Sequence, residues 1–179
     1  MEETDRIEGL VAAAVTPMHG DGSLKLDAVG PLVEHLLAAG IRGLYVCGST
    51  GGGVSMTDEE RRQITEAFVQ AVDGRSQVIV QVGHNCLAAA AALASHARDI
   101  GADVISATCP SYFKIEDVET LVDSMATIAL AAPDLPFYYY HIPALTDVNL
   151  KMSEFLSLGG SRIPNLRGIK YTEALLHDY

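Results

Sequence analysis

Apolar runs recur along the chain at a regular spacing. They begin near Leu10, Gly43, Gln77, Val104, Pro136 and Leu166. The interval of about 30 residues is the size of one strand followed by one helix. Because each run is almost continuously apolar, the pattern is typical of parallel strands that are buried on both faces of a sheet.

Helical patterns fill the intervals between these strands. The clearest is predicted from Thr57 to Val72, where Thr57 and Glu60 form a T-x-x-E capping box and apolar residues then recur at helical spacing. Further helices are predicted over residues 26–39, 86–100, 115–132 and 152–158, and a sixth begins at residue 173. Glycine or proline directly follows each of the four ranges, which indicates where those helices end.

The alternation of strands and helices predicts an α/β fold, as a single domain over residues 1–179. Two architectures fit this order, a doubly wound open sheet and a (β/α)₈ barrel. A complete barrel of eight strand–helix units takes about 240–250 residues. If the chain is a barrel, we therefore expect it to be incomplete, with about six of the eight strands present.

The charge balance excludes one broad class of function. Twelve Lys and Arg residues stand against twenty-three Asp and Glu residues, which gives a formal net charge of −11. Nucleic-acid binding needs clustered Lys and Arg, so we expect no nucleic-acid partner. The acidic N-terminus lacks the apolar core of a signal peptide, and the longest apolar stretch falls far short of the ~20 residues of a membrane span. We therefore expect a cytoplasmic protein without a membrane partner.

The cysteines and histidines predict no metal site. Cys47, Cys86 and Cys109 are an odd number without a CxxC pair, so neither a disulfide framework nor a zinc knuckle is expected. The six histidines are scattered and form no H-x-x-x-H pair. Buried free thiols in a reducing compartment are the expected state.

Lys170 closes the apolar run that begins at Leu166, at the carboxyl end of a predicted strand. In both candidate folds, active sites lie at the carboxyl ends of parallel strands. A lysine desolvated by buried neighbours can act as a neutral amine and form a Schiff base with a ketone. The alternative is a structural lysine whose ammonium reaches the surface from a strand end, and position by itself favours this alternative.

Tyr140 ends the apolar part of another predicted strand, again at the carboxyl end. Side chains alternate along a strand, so Tyr138 and Tyr140 are expected on one face and Tyr139 and His141 on the other. If Tyr140 and Lys170 both point into a barrel, their strands are neighbours and the two side chains can meet. A phenol beside an amine can relay protons, and the alternative is a tyrosine-rich strand that serves packing.

A glycine-rich turn, GSTGGG at residues 48–53, directly follows the strand that begins at Gly43. Glycines let successive N–H groups face one anion, and Ser49 and Thr50 add hydroxyl donors, so a carboxylate would fit. The turn lacks the Gly-Lys-Ser/Thr end of a Walker loop, and the long turn before the next helix excludes a dinucleotide fingerprint. Tyr112 and Thr172 are further polar residues at carboxyl ends, for which loop packing is the alternative role.

Three segments in this order, GLYVCGSTG, FYYYHIPAL and GIKYT, resemble the N-acetylneuraminate lyase group of the dihydrodipicolinate synthase superfamily. The opening LVAAAVTPM also resembles the first strand of that group, so the resemblance covers essentially the whole chain. It implies a (β/α)₈ barrel of the TIM type and a Schiff-base (class I) aldolase-type lyase. The implied reaction cleaves N-acetylneuraminate, a 2-keto acid sugar, to N-acetylmannosamine and pyruvate without a metal or organic cofactor. Full-length relatives are expected to be homotetramers.

The resemblance implies a role for each candidate residue. Lys170 matches the lysine that forms the Schiff base with the ketone, and Tyr140 matches the tyrosine that shuttles protons during carbon–carbon cleavage. Ser49 and Thr50 match the pair that holds the substrate carboxylate. Thr172 matches a threonine that lies close to the lysine and helps to bind the substrate.

Two positions match less closely, and part of the family's sequence is missing. Tyr112 is similar to a tyrosine that in some relatives reaches a neighbouring subunit's site. Gly52 stands where the family usually has Glu after GSTG, so one carboxylate is absent. The later strands, which in such lyases grip the hydroxyl tail of the sugar, are also absent. The isolated chain is therefore expected to aggregate or to be captured by another chain, and to lack lyase turnover.

Three other functions stay open at this point. One is a different pyruvate-dependent aldolase of the same superfamily, either a dihydrodipicolinate synthase or a keto-deoxy sugar acid lyase. Another is a catalytically inactive truncated fragment. The third is an open-sheet binding domain, which predicts that pyruvate does not trap a lysine amine.

Overall fold

The structure is a computed structural model that describes residues 7–174. The strands are β1 Val11–Ala13, β2 Gly43–Val46, β3 Gln77–Gln81, β4 Val104–Ala107, β5 Phe137–His141 and β6 Leu166–Tyr171. The α-helices are α1 Val29–Ala38, α2 Asp58–Val72, α3 Leu87–Asp99, α4 Val118–Ala129, α5 Pro143–Thr146 and α6 Met152–Arg162. Helices follow the strands in turn and the strands pair in parallel, which confirms the predicted α/β class.

The described residues form two compact units. The first comprises residues 7–81 and 96–104, and the second comprises residues 82–95 and 105–174. Strands β1 to β3 belong to the first unit, and β5, β6 and most of β4 belong to the second. The single domain that the sequence predicts over residues 1–179 stays a prediction.

In the first unit, β1, β2 and β3 pair in parallel and in chain order. Ala13 lies beside Tyr45, and Tyr45 lies beside Ile79. Strand β2 is buried along its whole length and β3 along almost all of it. This burial agrees with the nearly continuous apolar sequence of both strands, because each is covered on two faces.

Helix α2 begins as the sequence predicts. Thr57 Oγ1 accepts a hydrogen bond from Glu60 N at 3.2 Å, and Thr57 N donates to Glu60 Oε2 at 2.8 Å. This capping box satisfies amide groups that have no partner within the helix. Ile64 and Phe68 are then fully buried from the same helix face, so the predicted helix is confirmed.

In the second unit, β4, β5 and β6 also pair in parallel, and Tyr140 of β5 lies beside Lys170 of β6. Helix α6 covers one face of β5, where the rings of Tyr139 and Phe155 have centroids 4.8 Å apart. Asn165 precedes β6, and its Nδ2 donates to three carbonyl oxygens in and after α4 at 2.8–3.2 Å. These contacts anchor the start of β6 beside β5.

Two elements between β5 and β6 differ from the predictions. Helix α6 continues through Gly159 and Gly160 to Arg162, whereas the two glycines predict its end. A Cβ at Gly159 would stand 3.0 Å from Leu166 Cδ2, so the glycine lets the helix approach β6 closely. This packing outweighs the low helix propensity of glycine. The short helix α5, which begins at Pro143, is missed because an Ile-Pro pair after a strand indicates a strand end.

The other predicted helices agree with the structure to within three residues at each end. The predicted start of a sixth helix falls on residues 173–179, of which 175–179 lie outside the described residues. Residues 173 and 174 are not helical.

The three cysteines differ in exposure, and this difference leads to a labelling prediction. Cys47 and Cys109 are buried, whereas Cys86 is exposed. Burial raises the pKa of both buried thiols, so few thiolates form near neutral pH and a reagent cannot reach them. We expect a maleimide at pH 7 to label Cys86 alone in the folded chain, and every cysteine after denaturation, by peptide mass spectrometry. Native labelling of Cys47 or Cys109 as fast as that of Cys86 would contradict this burial.

Candidate active site

Lys170 and Tyr140 meet at the carboxyl ends of β5 and β6. The two residues are register partners in parallel strands, so their side chains leave the sheet on the same side. Lys170 Nζ lies 3.4 Å from the centre of the Tyr140 ring, which is a cation–π contact. Tyr140 is only 5% exposed and Lys170 is half-buried. The structure thus brings together the two residues that the sequence predicts as a reactive pair.

The alternation predicted for β5 is observed. Tyr138 lies against Gly168, where a Cβ would stand 3.1 Å from Tyr138 Cε1, so the glycine makes room for the ring. Tyr139 points to the opposite face, and its hydroxyl donates to Cys109 Sγ at 3.5 Å. Burial raises the pKa of the Tyr139 phenol far above its usual value, so this tyrosine stays protonated. Of these neighbouring tyrosines, Tyr139 therefore serves packing.

Thr172 and Tyr112 lie in the same unit but in different surroundings. Thr172 lies directly after β6, and its Oγ1 donates to the carbonyl oxygen of His141 at 2.8 Å. The hydroxyl therefore joins the ends of the two strands that carry the reactive pair. Tyr112 lies in the loop after β4, is 78% exposed, and packs edge-on against Phe113 with ring centroids 5.0 Å apart.

Two residues that the sequence analysis does not single out hold the Tyr112 loop. Asn85, which lies before α3, accepts hydrogen bonds at its Oδ1 from the backbone N–H of Ser111 (2.8 Å) and of Tyr112 (3.0 Å). Lys114 Nζ donates to the carbonyl oxygens of Ser111 (2.7 Å) and Thr146 (3.0 Å). An isolated loop Asn or Lys carries no pattern, so the sequence holds no signal for either role.

Ser49 and Thr50 lie in the first unit, in the turn directly after β2, and both are exposed. The turn is closed by a hydrogen bond from Gly53 N to the carbonyl oxygen of Gly48 at 3.1 Å. Cys47, just before the turn, has a φ of +59°, a left-handed conformation that is costly for a residue other than glycine. Strained backbone of this kind is concentrated at functional sites, which agrees with a binding role for the turn.

Two glycines of this turn are expected to respond differently to an added methyl group. At Gly53 a Cβ would stand 1.9 Å from the carbonyl oxygen of Cys47, which is backbone and cannot move aside. Gly53→Ala should therefore lower the free energy of unfolding by about 3 kcal/mol or more. At Gly52 nothing lies within 4 Å, but φ is +67°, so Gly52→Ala should cost only about 1–2 kcal/mol.

Urea unfolding of the two variants beside the unmodified chain measures this difference. If Gly53→Ala loses no more stability than Gly52→Ala, the close approach of residue 53 to Cys47 is contradicted.

A buried arginine in the first unit also escapes the sequence analysis. Arg61 of α2 is 2% exposed, and its Nη2 donates to the backbone oxygen of Gln81 at 2.7 Å and to Gln81 Oε1 at 2.9 Å. Burial lowers the pKa of Arg61, but a guanidinium remains charged at neutral pH. The contact ties α2 to the carboxyl end of β3. The sequence did indicate that Arg61 is buried, because Arg61 falls on the same helix face as the apolar residues Ile64 and Phe68.

The part of the chain that the structure describes contains neither a metal-ligand cluster nor a membrane-spanning helix. Within residues 7–174, no three His, Cys, Asp or Glu side chains lie close enough together to hold a metal ion. In the same part of the chain, each helix is too short or too polar to cross a membrane.

The chain matches a known protein family over nearly its whole length. The sequence model of the dihydrodipicolinate synthetase family matches residues 6–178. N-acetylneuraminate lyase from Rattus norvegicus is 39% identical over 176 residues, which are 97% of this chain and 55% of the rat protein. The chain thus spans about half the length of the curated relatives that it matches.

Solved structures of similar proteins share the fold. An N-acetylneuraminate lyase from Aliivibrio salmonicida aligns with a TM-score of 0.94 and 38% identity, over 97% of this chain and 57% of that one. The enzyme of the same name from Proteus mirabilis aligns with a TM-score of 0.93 and 34% identity, over 96% and 58%. These likenesses confirm the predicted fold class, a (β/α)₈ barrel of which residues 7–174 supply six strands.

A more distant structure is that of a sialic acid aldolase from Ruminococcus gnavus, solved as a catalytic lysine mutant. It aligns with a TM-score of 0.91 and 26% identity, over 99% of this chain and 57% of the aldolase.

Proposed function

The chain belongs to the dihydrodipicolinate synthetase family, and from this premise we propose that it holds the Schiff-base centre of a class I aldolase-type lyase. The proposed reaction cleaves N-acetylneuraminate to N-acetylmannosamine and pyruvate. The observation that carries the proposal is the position of Lys170 Nζ, 3.4 Å from the centre of the Tyr140 ring at the ends of two parallel strands. Two findings on relatives support it, the 39% identity to an N-acetylneuraminate lyase and the catalytic lysine of the Ruminococcus gnavus aldolase.

The first chemical step uses the amine of Lys170. Its neutral Nζ attacks the keto carbon C2 of the open-chain substrate, and loss of water leaves an iminium between Nζ and C2. The iminium carbon then accepts electrons from the neighbouring bond, which is the purpose of a covalent intermediate of this kind. The ring of Tyr140 limits the directions that the amine can take, so that attack follows one geometry.

The second step uses the hydroxyl of Tyr140. Its oxygen takes the proton of the C4 hydroxyl as its own proton passes to the substrate carboxylate, and the C3–C4 bond breaks as the electron pair of that bond moves into the iminium. N-acetylmannosamine leaves as the aldehyde, and an enamine of pyruvate remains on Lys170. The Tyr140 hydroxyl then gives a proton to C3 of the enamine, which restores an iminium, and addition of water to that iminium releases pyruvate and the free amine.

The remaining candidate residues bind the substrate in this proposal. Ser49 and Thr50 hold the carboxylate of the keto acid, because the turn after β2 presents their hydroxyls in exposed positions. Thr172 binds the substrate close to Lys170, because it directly follows the strand that carries this lysine. Tyr112 is the residue that reaches a neighbouring subunit's site, and its exposed ring suits contact with another chain.

We extend the proposal to assembly and compartment. Tyr112 and Phe113 are adjacent aromatic residues that are both largely exposed, as is typical of a surface that a second subunit covers. A homo-oligomer, a homotetramer in the full-length relatives, is therefore proposed. Cysteines without disulfides suit the cytoplasm, where thiols are kept reduced.

Borohydride trapping tests the proposed centre directly. Incubation of the chain with pyruvate and borohydride should reduce the iminium and leave one pyruvyl group per chain, which peptide mapping should place on Lys170. A sample without pyruvate serves as the control and should remain unmodified. Labelling of a different lysine, or no labelling of a folded sample, would refute the mechanism.

A further inference from the structure

A buried histidine contacts all three residues that follow Lys170. His141 is 1% exposed, and its ring stacks on that of Tyr171 with centroids 5.3 Å apart and planes at 22°. Its Nε2 lies 3.3 Å from Glu173 Oε2, and its carbonyl oxygen accepts the hydrogen bond of Thr172 Oγ1 at 2.8 Å. The hydroxyl of Tyr171 donates to the same Glu173 oxygen at 3.5 Å. The end of β6 and the residues after it are therefore fastened to His141 of β5, through its ring and through its backbone carbonyl.

In a neutral His141 ring, the contact with Glu173 favours the proton on Nε2. An ionised carboxylate only accepts hydrogen bonds, so Nε2 donates to Glu173. Nδ1 is buried without a hydrogen-bond partner among the described residues. As an unprotonated ring nitrogen, Nδ1 leaves no N–H group unpaired. The contacts with Tyr171 and Glu173 thus hold the ring in one orientation.

We propose that His141 is a positioning residue for Lys170. In the register of the two strands, Tyr140 lies beside Lys170 and the next pair is His141 beside Tyr171. The side chains of successive residue pairs leave the sheet on opposite sides. The contacts of His141 on one side of the sheet therefore determine the position of Lys170 on the other side. The residues of β6 are half-buried or exposed, so packing alone holds this strand weakly. This inference rests on the proposed function, because it acts through the Lys170 amine.

The face of β5 that carries Tyr139 and His141 does not require a histidine for its packing. Tyr139, two residues earlier on the same face, fills the space against helix α6 through its contact with Phe155. A polar ring at a fully buried position is costly unless it is hydrogen-bonded. Among the described residues, the hydrogen bond of the His141 ring runs to Glu173, in the segment after Lys170, which indicates that the ring holds that segment.

Two substitutions of His141 separate positioning from simple filling of space. His141→Leu keeps much of the volume and removes the hydrogen bond to Glu173. His141→Gln retains an N–H donor that can still reach the carboxylate. The matched control is His96→Gln, because His96 Nε2 also pairs with a carboxylate, Glu66 Oε1 at 2.8 Å, but lies in the other unit.

The rate of borohydride trapping is measured over a range of pyruvate concentrations. We expect His141→Leu to lower the maximal trapping rate by about 10- to 100-fold, with the half-saturating pyruvate concentration unchanged within about twofold. His141→Gln should recover most of the rate, and His96→Gln should match the unmodified chain. Equal maximal rates for His141→Leu and the unmodified chain would overturn the positioning role.

A second measurement separates this inference from the proposed function. If the unmodified chain is not trapped by pyruvate, the proposed function fails, and the acetylation rate of Lys170 by acetic anhydride then tests His141 by itself. Acetylation should be faster in His141→Leu, because Nζ is no longer held over the Tyr140 ring, and His141→Gln should return it to normal. Equal acetylation rates would overturn the inference. If His141→Leu does not fold, Glu173→Ala serves in its place. It removes the same hydrogen bond at the partner whose side chain is partly exposed, and it should give the same result in both measurements.

Discussion

Replacement of Lys170 by arginine is expected to abolish Schiff-base chemistry while the charge at this position is kept. Arginine can also place a cation over the Tyr140 ring, so the contact and the fold should survive. Its guanidinium is not deprotonated in proteins and cannot serve as the amine nucleophile. We expect no borohydride adduct with pyruvate and a loss of deuterium exchange into the pyruvate methyl group of more than about 10³-fold. Mass spectrometry and proton NMR measure the two quantities.

The control for this experiment is Lys151→Arg. Lys151 is exposed and pairs with Glu154 at 3.4 Å at the start of α6. This variant should be trapped at the rate of the unmodified chain. Persistent methyl exchange in Lys170→Arg would assign the reaction to a different amine and reject the proposed centre.

Replacement of Tyr140 by phenylalanine should slow the reaction without removing the covalent step. The ring that packs against Lys170 Nζ is retained and only the hydroxyl is lost, so iminium formation and trapping should continue. The rates of the proton transfers that depend on this hydroxyl should fall by about 10²–10⁴-fold. The measurements are deuterium exchange into pyruvate and, in a form of the enzyme that turns over, release of pyruvate from N-acetylneuraminate.

Tyr139→Phe is the matched control, because it removes a hydroxyl from the adjacent residue of the same strand. The Tyr139 hydroxyl faces Cys109 Sγ on the other side of the sheet, so its loss should leave the exchange rate nearly unchanged. An unchanged exchange rate in Tyr140→Phe would instead return Tyr140 to a packing role.

Local patterns were sufficient for most of the secondary structure. The capping box at Thr57 and Glu60, and the helical recurrence of apolar residues after it, involve neighbours only a few positions apart. Continuous apolar runs likewise predict buried parallel strands without knowledge of their partners. The prediction for α6 was wrong because its continuation depends on Leu166, which lies beyond the helix.

Prediction of the candidate site from the sequence is limited in the same way, because it also depends on residues outside each element. Alternation along a strand places Tyr140 and Tyr139 on opposite faces from the sequence alone, because the side-chain period of a strand is two residues. Whether Tyr140 meets Lys170 depends on the pairing of β5 with β6, and that pairing is a property of the tertiary structure. The same holds for Asn85, whose Oδ1 accepts a hydrogen bond from the backbone N–H of Tyr112.

The sequence by itself therefore determined the strands, most of the helices and the chemical type of the reactive residues, since these follow from short-range spacing and from the side chains present. Only the tertiary structure decided that Lys170 Nζ lies over the Tyr140 ring and that His141 holds the segment after Lys170. It also decided that Arg61 is buried against Gln81. Each of these contacts joins residues at least 20 positions apart, and no periodic pattern within one element records which distant residue will be its partner.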